Sequence, residues 1–443
     1  MEIVFDNTVA YGMGLCGSLL IMALLPYTHI VLKYTCPLIF EVGRLSPLLN
    51  LGKLLSRGLK QLAYACLVTR SGVFKSWNVG GSLLVSAYLA ANLTCVFIDL
   101  PSTEKAGARA GTLALINMLI LYLGPCLSFI ADLLHISLRA HRWIHAWVGR
   151  IVLILIVFHA ILAVALKGSF SLKETHNIWP FVVCMLKAQV MCFFLVLPIW
   201  LLKRALPYEF ILFHHHIVSI LVLYFSWRHL PADTLFPRLY LYIILGVFMW
   251  CFILQTGITL YRTGFRFLWA RVFHDEGAIR VTIHLDKELK VEPGQYINLW
   301  AWSTPLSLLQ RHPFTVVSYS SKAQVASFGE PTVDFGSGER RPQARLELVV
   351  EPCQGWTKSL NDLLAYGSTT IITSFTGPHG RWIPVDELDN VLLAATGSGV
   401  IAILPYLERL IHNHGVRRSC TRRIHLVWEV EDSGKIVSCG GYS

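Results

Sequence analysis

Two apolar stretches of the chain each carry a pair of histidines fourteen residues apart, His145 with His159 and His215 with His229. Imidazole nitrogens bind transition metals, and an ionisable side chain inside an apolar segment is costly enough to point to function. Fourteen residues are close to four helical turns, so each pair falls roughly on one helix face, its members about 21 Å apart along the axis. That is most of the ~30 Å hydrocarbon thickness of a bilayer. Two such helices side by side offer two bis-histidine sites, one per leaflet. Haem iron takes axial imidazoles, so stacked haems suit the pattern. His216 competes with His215 at a spacing of thirteen, but it points about 100° away around the helix, which favours His215. His135, His141 and His214 read as interfacial.

These histidines require spanning helices, and the composition supplies them. The 443 residues are 54% hydrophobic and 15% charged, with a mean hydropathy of +0.54; soluble domains carry about 25% charged residues. The apolar excess lies in residues 1–260, so a membrane part precedes a soluble one. Seven spans are expected, near 9–32, 79–98, 111–133, 145–167, 181–202, 211–230 and 238–260. The net charge of +11 does not indicate nucleic acid, because the basic residues cluster in alternate loops: 33–75, 134–144, 203–210 and the stretch after the last span. By the positive-inside rule those loops are cytoplasmic. The N-terminus is then outside, the soluble C-terminal part inside, and both histidine helices run from the cytoplasm outward. His145 and His215 share the inner level, and His159 and His229 the outer. The N-terminus lacks the basic region of a cleaved leader and reads as a retained anchor. The eleven cysteines form no CxxC pair; several sit in spans as small hydrophobes. Asn92-Leu-Thr94 fits a glycosylation acceptor but falls inside a span.

The soluble part opens with alternating strand-type runs over Ala278–His284 and Leu289–Trp300, with a turn signal at Pro293-Gly294. Arg311-His312-Pro313-Phe314-Thr315 follows. A hydroxyl next to an aromatic on a strand can both bond and cover a flat ring. Residues 321–343 read as an exposed loop, and 344–350 and 369–374 as further strands. Val391 to Glu408 reads as an apolar strand, a Gly397-Ser398-Gly399 turn, then a helix whose N-terminus favours phosphate. A second strand lies at 424–429, preceded by Arg417, Arg418, Arg422 and Arg423.

His145-Ala-Trp-Val-Gly-Arg150, Arg109-Ala-Gly111-Thr-Leu-Ala, Tyr208-Glu-Phe, Trp227-x-His229, His312-Pro-Phe-Thr315 and Gly377-Pro-His-Gly380 together resemble the fungal ferric reductase family, over about residues 105–430. The resemblance implies a polytopic α-helical membrane domain of about seven spans with a six-helix haem-binding core. A ferredoxin reductase-like β-barrel FAD domain and a partial α/β nicotinamide-nucleotide domain follow. The boundaries are 1–104 for the N-terminal spans and basic loop, 105–262 for the haem domain, 271–388 for FAD and 389–443 for the nucleotide domain. It implies axial ligation of two b-type haems by His145, His159, His215 and His229, and an isoalloxazine bonded by Thr315 and lined by His312, Pro313 and Phe314. Gly397, Ser398 and Gly399 resemble the family's NADPH turn loosely, with Ala395 in place of its first glycine. Cys439-Gly440-Gly441 comes soon after the second strand and lacks the proline of the family's Cys-Gly-Pro motif. A C-terminally short nicotinamide domain is therefore expected. The implied activity is electron transfer from cytosolic NADPH through FAD and the haems to extracellular ferric or cupric chelates, in the plasma membrane. A superoxide-generating NADPH oxidase and a truncated, non-catalytic membrane protein are the alternatives. The sequence does not define an oligomeric state.

Overall fold

A computed structural model of the chain describes residues 7–35, 66–68, 77–99, 102–167, 208–231, 235–275, 277–302, 311–322, 343–352, 355–415 and 420–430. The span expected at 181–202, most of the loop at 321–343 and the Cys439-Gly-Gly segment lie outside the described residues. Two units form, Met1–Leu206 with Phe210–Trp250, and Cys251–Ser443 with Pro207–Glu209.

The first unit is helical: α1 (Asn7–Thr35), α2 (Val79–Phe97), α3 (Thr103–Tyr122), α4 (Leu127–Leu133), α5 (Leu138–Lys167), α6 (Tyr208–His229) and most of α7 (Leu235–Thr263). Six stretches among the described residues are long and apolar enough to cross a membrane: Asn7–Leu24, Val79–Phe97, Thr103–Leu133, Leu138–Leu166, Phe210–His229 and Arg238–Thr263. The chain is a multi-pass membrane protein, and side chains such as Leu83, Ile154 and Ile220 stay exposed on its surface, as hydrocarbon solvent permits.

Two spans start earlier than expected. Ser102 Oγ accepts the Lys105 N–H at 3.3 Å and caps α3; Ser137 Oγ accepts the Ala140 N–H at 3.1 Å and caps α5. Side-chain capping starts each helix before its apolar run begins. Glu104 and Lys105, and likewise Arg139 and Arg142, therefore lie within the opening of helices rather than in loops. His145 consequently lies two turns inside α5.

Helix α3 is central. Its Ala106, Ala110, Leu113 and Ala114 pack with Val148, Ile151, Val152 and Leu155 of α5, Val96 of α2, and Val218 and Val222 of α6. Small residues allow this close approach between membrane helices. On another face, Asn117 accepts from the Tyr11 hydroxyl at 2.7 Å and the Tyr88 hydroxyl at 2.5 Å, and donates to Asn92 Oδ1 at 2.7 Å. Asn92 is thus a buried structural residue.

The larger sheet of the second unit is built, among the described residues, from seven strands: β1 (Leu268–Asp275), β2 (Ala278–Leu285), β3 (Tyr296–Trp302), β4 (His312–Thr315), β5 (Ser318–Ser320), β6 (Ala344–Val350) and β7 (Thr369–His379). They form one antiparallel sheet in the order β4-β3-β7-β1-β2-β6-β5. The Val317 N–H donates to Glu347 O at 2.9 Å, joining the chain after β4 to β6 and curling the sheet. Alternation puts Val281, Ile283, Ile297, Leu299, Leu346 and Leu348 inside. The expected turn forms, with Gln295 N–H bonded to Glu292 O at 3.2 Å and Gly294 at φ +81°. Helix α8 (Trp356–Leu363) precedes β7; β8 (Asn390–Thr396), α9 (Leu404–Gly415) and β9 (Arg423–Glu429) follow it. β8 and β9 pair in parallel across α9, which packs Leu410 on Val391 and Leu393. Arg409 on α9 ion-pairs with Glu292 and Asp386 and stacks on Trp382.

Candidate haem and flavin sites

Helices α5 and α6 bring the four histidines together in the expected pairs. The His145 and His215 rings lie 6.3 Å apart, centroid to centroid, at an interplanar angle of 77°. The His159 and His229 rings also lie 6.3 Å apart, at 82°. Two imidazoles bound to one metal through bonds of about 2 Å, with roughly 1.1 Å from nitrogen to ring centre, put their centroids about 6 Å apart. Both pairs have that spacing. His215 is half-buried, whereas His214 and His216 are exposed.

The donor set narrows the metal. No group of three or more His, Cys, Asp or Glu able to hold an ion occurs among the described residues. Two imidazoles facing each other suit a metal that brings further ligands of its own, as haem iron does. His159 Nδ1 lies 2.8 Å from Gly107 O. A carbonyl only accepts, so Nδ1 carries the proton and Nε2 keeps its lone pair for a metal. His145 Nδ1 is buried with no hydrogen-bond partner among the described residues. His141, one turn before it, differs from the interfacial expectation: it is buried, and its Nδ1 lies 3.0 Å from Leu127 O.

Two glycines of α3 and its continuation make room for these rings. A Cβ on Gly111 would stand 3.1 Å from His159 Nδ1, and one on Gly124 would stand 3.3 Å from His145 Cε1. Gly124 and Pro125 also break α3 from α4 through a single 3-10 turn.

In the second unit the His-Pro-Phe-Thr run forms β4, paired with β3 as His312↔Leu299, Pro313↔Asn298, Phe314↔Ile297 and Thr315↔Tyr296. Cross-strand partners share a face. His312 and Phe314 therefore turn to the Leu299 and Ile297 side. There His312 stacks on buried Trp356 at 4.8 Å and 15°, and Phe314 packs beside it at 5.9 Å. Pro313 and Thr315 lie on the opposite face, with Tyr296, Asn298, Thr376 and His379. Asn298 Nδ2 donates to Thr376 Oγ1 at 3.2 Å, and His379 Nε2 lies 3.0 Å from that hydroxyl. The Gly-Pro-His-Gly turn closes this face: Tyr296 pairs with His379 on one side and Thr315 on the other. Gly377 has φ +122°, and a Cβ there would meet Tyr296 O at 3.0 Å and His379 N at 3.1 Å, so glycine is required. The guanidinium of Arg262 donates to the Gly377 carbonyl.

The Gly397-Ser398-Gly399 turn follows β8 as expected. It continues as a 3-10 segment, Gly397–Ala402, before α9 begins. Gly397 has φ +52°, its carbonyl accepts from Trp428 Nε1 at 2.9 Å, and a Cβ on Gly399 would meet nothing within 4 Å. Gly107, Gly124 and Tyr296 were not marked as site residues by sequence; only the span-opening motif around Gly111 hinted at α3.

Residues 264–328 match the family described as the FAD-binding domain. Ferric reductase transmembrane component 6 of Saccharomyces cerevisiae is 24% identical over 328 residues, 70% of this chain and 42% of that protein. The ferric/cupric reductase transmembrane component 2 of the same yeast is 24% identical over 66% of this chain and 38% of the relative. The probable cell surface ferric reductase kap2 of Aspergillus oryzae is 31% identical over 34% of this chain and 19% of its own length. The chain spans less than half the length of each of these relatives.

Proposed function

We propose that the chain is a fungal ferric reductase-type metalloreductase of the plasma membrane, a reading supported by its likeness to the yeast and Aspergillus ferric reductases and by the FAD-binding match at residues 264–328. It carries electrons from cytosolic NADPH, by way of FAD and two b-type haems, to ferric or cupric chelates outside. The observation that carries this reading is the pair of 6.3 Å histidine gaps, one at each level of the same two helices. A bound flavin would supply the change from a two-electron hydride to single electrons, and bound haem would supply one-electron relays. Each NADPH would then reduce two ferric ions and release one proton.

The protein's own residues bind, orient and insulate. His145 and His215 hold the inner group and His159 and His229 the outer one. The carbonyl of Gly107 fixes the proton of His159 at Nδ1. On the flavin side, Thr315 offers a hydroxyl on the face shared with Tyr296 and His379, and Pro313 is exposed beside it. His312 and Phe314 support β4 from behind through Trp356. Gly397, Ser398 and Gly399 supply the turn for a nicotinamide dinucleotide. The basic loops place the N-terminus outside and the flavin side in the cytosol.

The test is a reduced-minus-oxidised spectrum of the purified protein, with haem quantified per chain and ferric-chelate reduction followed in proteoliposomes. Two b-type haems and NADPH-driven reduction of a chelate across the bilayer are expected. Absence of a b-type signal would overturn the reading, and superoxide formation without chelate reduction would redirect it to oxygen.

A further inference from the structure

Helix α3 and the 3-10 turn that follows it carry none of the four histidines, yet together they touch one member of each pair. The Gly107 carbonyl accepts the His159 Nδ1 proton at 2.8 Å. As a carbonyl inside an α-helix it also serves the N–H four residues on, that of Gly111, and its two lone pairs accommodate both donors. Gly111 makes the second bond possible, because any Cβ there would stand 3.1 Å from the bonded nitrogen and 3.3 Å from Cε1. The approach is that close because α3 packs along α5 through small residues, with Gly107 against Leu162. At the other level the contact among the described residues is steric, Gly124 against His145 Cε1. Of the two α5 histidines, then, one is fixed by a hydrogen bond and the other by packing.

We propose that Gly107 and Gly111 are positioning residues of the outer site. They set the plane of the His159 ring near-perpendicular to that of His229, and they raise its donor strength through the Nδ1–H···O=C bond; this rests on the haem reading above. A hydrogen-bonded imidazole is the more basic ligand and favours ferric iron, so the bond holds the outer midpoint potential down. Gly124, which offers His145 no acceptor, has no such effect at the inner site.

The experiment is a potentiometric titration with low-temperature EPR on the detergent-purified, haem-loaded full chain, comparing wild type, Gly111→Ala and Gly246→Ala. Gly246 lies exposed on α7, away from both histidine pairs, and a Cβ there meets nothing within 4 Å among the described residues, so its variant controls for an added methyl. Near-perpendicular imidazole planes give low-spin ferric signals of large g anisotropy, and both wild-type haems should show them. Gly111→Ala should move one haem only: its potential shifts upward and its EPR signal changes, or that haem alone is lost, while Gly246→Ala matches wild type. Two bound haems with unchanged potentials and spectra in Gly111→Ala would overturn the assignment, as would equal shifts of both. Rhombic signals typical of parallel planes in the wild type would overturn the orientation claim without any variant. A wild-type protein without haem would sink the haem reading itself, which keeps the two failures apart.

Discussion

Replacing Asn117 by leucine should destabilise the helical unit by about 2–4 kcal/mol. Asn117 is fully buried and makes three hydrogen bonds, accepting from Tyr11 and Tyr88 and donating to Asn92. Hydrogen bonds between membrane helices average about 0.6 kcal/mol, so three contribute roughly 2 kcal/mol. The upper end comes from what the substitution leaves behind: the Tyr88 hydroxyl and Asn92 Oδ1 lose partners in a dry environment, at roughly 1–3 kcal/mol for each unsatisfied group. Tyr11 retains its contact with Asn92 Nδ2 at 3.2 Å, which lowers its share. The assay is unfolding in mixed micelles by SDS titration, with each variant measured alone and combined with Tyr88→Phe. Because removing both partners costs less than stranding one, the double variant should be more stable than Asn117→Leu alone. A loss below about 0.5 kcal/mol for Asn117→Leu would refute the network's structural role, and strict additivity with Tyr88→Phe would refute the accounting.

His215→Ala should lower bound haem from two to one per chain by pyridine haemochrome assay, while His216→Ala keeps two, because only His215 faces His145 at ligand spacing. Gly377→Ala should cost about 1–3 kcal/mol of backbone strain, read as weaker FAD retention on gel filtration, since its Cβ would meet two backbone atoms. His284 should make the flavin unit acid-sensitive. Burial, then Arg345 and Arg271, push its imidazolium down to about 4 from the usual value of 6.5. The unfolded chain then binds the extra proton between those values, so this stability is complete above pH 6.5, falls as pH drops towards 4 and is flat below. At about 1.4 kcal/mol per unit, discounted for its partial exposure, roughly 1–2 kcal/mol is at stake. His284→Gln should flatten the pH dependence of thermal unfolding across that window.

What the sequence discloses here depends on whether a residue's meaning is local. The fourteen-residue histidine spacing is a property of one helix, so it could be read, and the loop charges then oriented both pairs. The glycine turns and alternating strands of the flavin unit are local too, which is why 344–350 coincides with β6. The early starts of α3 and α5 were hidden because Ser102 and Ser137 sit among charges that read as loop, although a capping serine extends a helix through polar residues. The facing of β4 was within reach, since alternation against core Ile297 and Leu299 already assigns His312 and Phe314 to the inside. The polar network was out of reach: Tyr11 and Asn117 are 106 residues apart, and each alone is an unremarkable residue in a span. The same holds for Gly111, whose value lies in the imidazole that packs on it. A pair of facing histidines leaves a legible trace only in the histidines themselves. The glycines that pack against their rings belong to a third helix and the turn after it, and only the packing reveals them.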